Sequence, residues 1–439
     1  MAVIAASGLL GIAVARIAGT SATGQYGVAI TLFSILLPVS TLGLRAGITF
    51  LVSRGEWPGR RALRESVAAA FVLCSIAAAI TVAIYVAWPD GPLSGLGGWT
   101  LALTLAAVTF AGAWAFSSGI ALALERYEGY AFSQIAQAAI AAVLGVALTF
   151  PLGVAGAMLG FATGQLMAAA IAVGSVLSSG GPPSYPTGTG LTELRRAARF
   201  GTKTWVSEMF WGLNFRLDVL ILNTFVASSA VGVYFVAGSL TTLAWVLPAA
   251  LQNVVLPRAA ALDASVQRGE GHAAESDATV ARSLRHGVLL SLPTGIGLVV
   301  LLVVGVPLFY GPGFGKAILY GFILMPGVLA AGLGKVAAGV LIGRGRPGYT
   351  LLPMLITTPV TILAYLIVIP VWEVVGAAVV STISYTLTAA ITVYLVRRVT
   401  DLPLRGLLRP RSSDVTDYLV MFRNARQYLR DRVPRASAA

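Results

Sequence analysis

The chain has 439 residues, 57% of them hydrophobic and 11% charged, with a mean hydropathy of +0.84 and a net charge of +13. Soluble proteins carry roughly 25% charged residues, so this composition excludes a soluble globular enzyme, a disordered chain and a collagen-like fibre. It fits a membrane protein with room for roughly a dozen helical spans, at about 30–35 residues per span and loop.

Hydropathy predicts twelve apolar segments. Six lie at 2–18, 26–44, 66–88, 99–123, 131–150 and 152–177. The others lie at 201–224, 230–256, 286–309, 317–341, 350–370 and 375–396. No basic stretch precedes the first, so no cleaved signal peptide is expected. The loops alternate in charge. Arg45, Arg54, Arg60, Arg61 and Arg64 follow the second span, and Arg126 follows the fourth. Arg195, Arg196, Arg199 and Lys203 stand around the junction of the sixth and seventh. Arg258, Arg268, Arg282 and Arg285 separate the eighth and ninth, and Arg344 and Arg346 follow the tenth. The tail from Arg397 to Arg435 is rich in arginine, whereas the opposite side holds only Lys316. The positive-inside rule therefore places both termini in the cytoplasm. It also explains the basic charge without a nucleic-acid partner. The outward loops are short, the longest being 88–98, which disfavours a sugar polymerase or ligase with external catalytic groups.

The chain repeats itself. Ser21-Ala22-Thr23-Gly24-Gln25-Tyr26-Gly27-Val28-Ala29 and Ser229-Ala230-Val231-Gly232-Val233-Tyr234-Phe235-Val236-Ala237 share Ser, Ala, Gly, Tyr, Val and Ala in register. Val154-x-Gly156-Ala157 recurs as Val374-x-Gly376-Ala377, and Gly129-Tyr130 as Gly348-Tyr349. The predicted architecture is an all-α polytopic membrane protein, twelve transmembrane helices in two parallel six-helix halves around a central cleft. The halves are 1–177 and 201–398, joined by a cytoplasmic linker at 178–200. A basic amphipathic tail, 399–439, follows them and suits an anionic inner leaflet or a partner protein.

Ionisable groups inside spans are costly and mark candidate sites. The seventh span holds Glu208, Arg216 and Asp218, with Asn214 nearby. In an unbroken helix at about 100° per residue, Arg216 lies about 80° to one side of Glu208 and Asp218 about 80° to the other. One reading makes all three structural ion pairs with neighbouring helices. The other puts Arg216 and Glu208 on the cavity side, Arg216 on a substrate phosphate and Glu208 carrying the coupling proton or cation, with Asp218 packed against a neighbour as an ion pair and Asn214 as a polar cavity group. Arg16 and Lys335 either snorkel to the two surfaces or face the cavity, where a cationic lining suits a phosphate-bearing substrate. Arg45 reads as a cytoplasmic anchor. Gly156, Gly160 and Gly164 form a small-residue stripe for close helix packing. Pro38, Pro248, Pro293, Pro326 and Pro359 interrupt spans and are expected to kink them. Both histidines, His272 and His286, lie outside the mid-membrane region, and Cys74 is the only cysteine. No Walker-type loop, catalytic triad or metal-ligand set is legible, so a transporter is expected rather than an enzyme, with no cofactor beyond an H+ or Na+ coupling ion.

Gly24-x-Tyr26-Gly27, the run Arg216-Leu217-Asp218-Val219-Leu220-Ile221-Leu222, and Val231-Gly232-x-Tyr234-x-Val236-Ala237 resemble the oligosaccharide (O-antigen and polysaccharide) flippases. These form the polysaccharide-transporter branch of the MOP exporter superfamily. The resemblance runs over about residues 1–400. It implies a V-shaped bundle of the bacterial inner membrane that moves undecaprenyl-pyrophosphate-linked oligosaccharide from the inner to the outer leaflet. Membrane lipids and polysaccharide-assembly proteins are then the expected partners. A cation-coupled multidrug exporter and a lipid II-type flippase are the alternatives. The first often uses an acid in its first span, which this chain lacks, and the second usually has two more spans.

Overall fold

The computed structural model describes residues 2–179, 190–269, 272–400, 402–414 and 416, without the side chains of residues 2–5, 190, 203, 204, 207, 208, 211 and 273. Most of the expected linker and of the amphipathic tail, 180–189 and 417–439, lies outside the described residues. The fold is all-helical: α1 (Ala2–Thr41), α2 (Leu44–Ser53), α3 (Gly59–Ala87), α4 (Gly98–Ala123), α5 (Tyr127–Leu177), α6 (Gly190–Asn214) and α7 (Leu217–Phe225). Then come α8 (Ser228–Thr242), α9 (Val246–Gln267), α10 (Ala273–Val300), α11 (Lys316–Gly343), α12 (Gly348–Thr400) and α13 (Leu404–Leu408). Among the described residues, eight helical stretches are long and apolar enough to cross a membrane. Their outer faces carry exposed apolar side chains, such as Phe71, Val72, Ile76 and Ile80 on α3 and Leu363, Ile367 and Val371 on α12. Helices that satisfy their own backbone and present apolar side chains outward suit a lipid surroundings. The chain is a multi-pass membrane protein.

Several of these helices are too long for one crossing. A 51-residue α5 would reach roughly 75 Å if straight, at about 1.5 Å per residue, against a hydrocarbon core of about 30 Å. It folds back at Gly153, whose φ of 57° is open to glycine. The small-residue stripe then lies along the opposing arm. Gly156 abuts the Leu148 carbonyl, Gly160 abuts Gly145, and a Cβ on Gly164 would fall 2.7 Å from the Gln137 carbonyl oxygen. The 53-residue α12 reverses in the same way at Glu373 (φ 46°), so that the Tyr365 and Ser381 hydroxyls meet at 2.8 Å. In α1 the bend is at Gly19 (φ 81°). Leu10 packs on Gly145, and Phe33 meets Phe161 edge-on at 4.9 Å. Because Gly145 and Gly160 abut, Leu10 and Phe33 lie at one depth, which requires α1 to double back.

The second and eighth expected spans differ in detail. The second was expected to run to residue 44, but α1 stops at Thr41, where Leu42 (φ 47°) and Gly43 (φ 69°) are left-handed. The chain restarts as α2 against α6, because Gly43 lies so close to Gly201 that a Cβ would fall 2.6 Å from its carbonyl oxygen. The Pro38 carbonyl left over at this end accepts the Trp205 indole N–H at 2.6 Å. The eighth span divides into α8, a tight turn at Leu243–Trp245 and α9. Pro248 falls in the first turn of α9, where a missing N–H costs nothing.

The chain packs as two compact units. The first comprises Met1–Leu240, Val300–Leu324 and Met354–Thr382. Its inner core gathers Ile48, Trp57, Phe116 and Ile120 from α2, the α2–α3 loop and α4. The second comprises Thr241–Val299, Met325–Pro353 and Ile383–Ala439. Its core joins Leu284, Val336, Val340, Leu341, Val396 and Leu407.

Candidate functional site

The seventh span is broken where the sequence predicted a continuous helix. α6 ends at Asn214 and α7 begins at Leu217, with Phe215 and Arg216 forming the turn between them. The helical-wheel angles relating Glu208, Arg216 and Asp218 therefore do not carry across the break. Asn214 is buried at the end of α6. Arg216 caps α7 with φ −136° and is half-exposed. Among the described residues its guanidinium makes no hydrogen bond and no ion pair. The Glu208 side chain lies outside the described residues.

Asp218 stands in the first turn of α7, an end that favours a carboxylate. It is 6% exposed. Its Oδ1 accepts the Val219 N–H at 2.8 Å, and its Oδ2 lies 2.6 Å from the Tyr234 hydroxyl of α8. Tyr234 in turn lies 3.1 Å from Ser381 Oγ, which Tyr365 approaches at 2.8 Å. The partners that the structure gives Asp218 are thus a backbone N–H and a chain of hydroxyls. Tyr234 was legible as the tyrosine of the repeated motif. Nothing in the sequence pointed to Tyr365 or Ser381, since hydroxyls are common in apolar helices.

Arg16 is exposed, and its guanidinium reaches the end of another helical stretch. Its Nε donates to the Phe309 carbonyl at 2.8 Å and its Nη2 to the Leu308 carbonyl. These carbonyls end a π-helical stretch, Leu301–Tyr310, which carries Pro307 and stops at Gly311 (φ 94°). The guanidinium fork thereby caps a helix end. Lys335, in the second unit, is half-buried with its Nζ 5.1 Å from the Trp245 ring centre. In the first unit Arg45 likewise lies over an aromatic ring, 5.5 Å from that of Trp114, and is half-buried.

The repeated motifs touch. Gly24 lies against the Ser228 carbonyl and Gly232 against the Thr20 carbonyl, and a Cβ on Gly232 would fall 2.7 Å from the Gly24 nitrogen. Gly27 packs on the Phe235 ring, a Cβ there falling 2.6 Å from it, and Tyr26 meets the same ring edge-on at 6.2 Å. The register that aligns Gly24 with Gly232 also aligns Thr20 with Ser228, so the two glycine contacts are interchanged by it. Nearby, the Asn223 amide donates to the carbonyls of Pro92 (3.1 Å) and Ser94 (2.9 Å). Among the described residues no His, Cys, Asp and Glu group could hold a metal ion.

A family model described as polysaccharide biosynthesis protein matches residues 7–262. No curated relative matches the chain. Among solved structures, the lipid II flippase MurJ in an inward closed conformation gives a TM-score of 0.73 at 13% identity, over 96% of this chain and 91% of that one. An inward-facing multidrug resistance MATE family transporter of the MOP superfamily gives 0.67 at 16% identity, over 91% and 95%. The eukaryotic MATE transporter AtDTX14 gives 0.55 at 15% identity, over 92% and 97%. At such identities the likeness is one of fold.

Proposed function

The chain belongs to the polysaccharide biosynthesis protein family, and from that premise we propose that it is a transporter of MOP type that flips lipid-linked oligosaccharide. The cargo is undecaprenyl-pyrophosphate-linked oligosaccharide, moved from the inner to the outer leaflet of a bacterial cytoplasmic membrane for O-antigen or other surface-polysaccharide synthesis. In this reading, twelve spans form two six-helix halves with both termini cytoplasmic, and the cleft opens to each side in turn. Family membership carries the reading. The chemistry of the seventh span supports it: Arg216 sits at a helix break, half-exposed, with its fork unspent among the described residues. A guanidinium presents paired donors that match phosphate oxygens. Lys335 and Arg16 are assigned as further phosphate contacts, Arg16 in states where it releases the Leu308 and Phe309 carbonyls. The polar head crosses through the cleft while the lipid tail stays in the bilayer.

The test is leaflet exchange in proteoliposomes. A fluorescent undecaprenyl-pyrophosphate oligosaccharide is loaded, and its access to an external quencher is followed. Protein should accelerate equilibration, and Arg216→Ala should abolish the acceleration, with Arg216→Lys intermediate. Equal rates with and without protein would sink the flippase reading. An unchanged rate in Arg216→Ala would remove Arg216 from the phosphate site. Accumulation of a cationic dye in place of the glycolipid would favour a multidrug exporter.

A further inference from the structure

The turn between α4 and α5 holds two acids for which phosphate binding has no use. Glu125 and Glu128 are exposed, and among the described residues neither forms an ion pair. They line a cavity of about 540 Å³ together with Arg126, Tyr127, Ser175 and Ser178. Both ends of α5 wall this cavity. The first turn of α5 brings Gly129 so close to its last turns that a Cβ would fall 2.1 Å from the Ser175 Oγ. Arg126 reaches the Ser178 carbonyl only at 3.5 Å, through Nη2. Among the described residues this is the one bond of its guanidinium, so most of its five hydrogens stay open to another partner.

The turn itself does not require the acids. Leu124, Glu125 and Arg126 donate to the carbonyls of Ile120, Leu122 and Ala121. Between α11 and α12 the same pattern recurs, with Arg344, Gly345 and Arg346 donating to Val340, Ile342 and Leu341. There a glycine, Gly345, takes the left-handed position at φ 69°, whereas Glu125 takes it here at φ 59°, a conformation that a side chain resists. No acid stands between Arg344 and Tyr349. The glutamates therefore serve the cavity rather than the reversal of the chain.

An apolar surface leads away from the cavity. Glu128, Phe132 and Ile135 share one face of α5 at i, i+4 and i+7, and Val143 lies on that face about three turns beyond Phe132. Phe132, Ile135 and Val143 are all exposed. Two carboxylates and one guanidinium at the head of an apolar stripe match a molecule with an ammonium, a phosphate and hydrocarbon chains.

We propose that this cavity binds the headgroup of a zwitterionic ethanolamine phospholipid. Its ammonium lies between Glu125 and Glu128, and its phosphate on the Arg126 fork and the Tyr127 hydroxyl. Its acyl chains run along Phe132, Ile135 and Val143. The lining has a net negative charge, which disfavours an anionic phospholipid that has a phosphate and no cation. It disfavours a pyrophosphate for the same reason, so this site is separate from Arg216 and stands whether or not the chain is a flippase.

Native mass spectrometry of the full chain tests this, with the chain released from micelles that hold phosphatidylethanolamine and phosphatidylglycerol in equal amounts. Wild type should retain the ethanolamine lipid several-fold over the glycerol lipid. Glu125→Gln combined with Glu128→Gln should lose that preference, and Arg126→Gln should weaken retention of the ethanolamine lipid. Phosphatidylcholine, whose trimethylated nitrogen has no hydrogen to donate, should be retained less than phosphatidylethanolamine. Glu125→Gly copies the turn at Gly345 and relieves the backbone, so it should melt no earlier than wild type in detergent and still retain less ethanolamine lipid. Equal retention of the two lipids by wild type would overturn the proposal, as would a preference that survives in the double variant or in Glu125→Gly.

Discussion

Two regions of the molecule each hold an arginine and an aspartate, and they use them in opposite ways. At the end of the second unit, Arg285 of α10 grips Asp414 through two bonds, at 2.6 and 3.0 Å, and donates a third to the Gly406 carbonyl at 3.1 Å. The side chains are 6% and 0% exposed. In the seventh span Arg216 and Asp218 stand two residues apart on either side of a helix start, and neither bonds the other. The first pair is closed on itself and ties α13 and the start of the tail to α10. The second is divided into a cation whose donors are unspent among the described residues and an acid satisfied by a backbone N–H and hydroxyls. Charges that find each other hold structure together, whereas charges held apart are open to ligands.

Breaking the closed pair should give the largest effect. Arg285→Ala or Asp414→Ala leaves a buried charge unpartnered, which costs about 3–5 kcal/mol. Thermal unfolding in detergent should show it, and the double variant should recover part of the loss. Hydrogen bonding from Arg285 holds the Asp414 carboxyl below its ordinary value. Its contribution is therefore complete above the unfolded carboxyl's value of about 3.9 and is lost only as pH falls through the lower folded value. Wild-type stability should fall in that acid window more steeply than that of Asp414→Asn.

An intermediate effect is expected at the repeated motif. Gly232→Val forces a Cβ against the Thr20 carbonyl and the Gly24 nitrogen, and overpacking of this kind costs about 1–3 kcal/mol. A melting curve measures the cost, and the same variant should bias the molecule away from the state in which these backbones meet. That bias is readable as altered crosslinking between cysteines placed at Thr20 and Ser228. The smallest stability effect belongs to Arg216→Ala. It should leave unfolding within about 0.5 kcal/mol of wild type, because no partner among the described residues is orphaned, while removing transport. A large loss of stability in that variant would erase the contrast between the two regions.

Much of this arrangement was legible from the residues. The gaps expected between apolar segments hold the reversals at Gly19 and Glu373, and the gap at residue 151 falls two residues before the reversal at Gly153. Hydropathy finds them because polar and glycine-rich positions cluster where helices turn. The stripe Gly156, Gly160 and Gly164 packs closely, as small residues at that spacing do. The break after Asn214 was not legible, because neither Pro nor Gly marks Phe215 or Arg216. The capping role of Arg16 was hidden for a different reason. Its acceptors are backbone carbonyls nearly three hundred positions away, and carbonyls leave no trace in a sequence.

The crossing of Gly24 and Gly232 has a consequence for descent. Because each copy of the motif meets the other through the same pair of contacts, the crossing has the form of an isologous interface, the kind that joins two identical subunits across a two-fold axis. A chain bearing one copy would already have owned both sides of the contact when it paired with its twin. Joining two such genes end to end would have preserved the fit without inventing any new surface. It would also have bound the two copies to one another, since a bulkier residue accepted at either glycine presses on its counterpart.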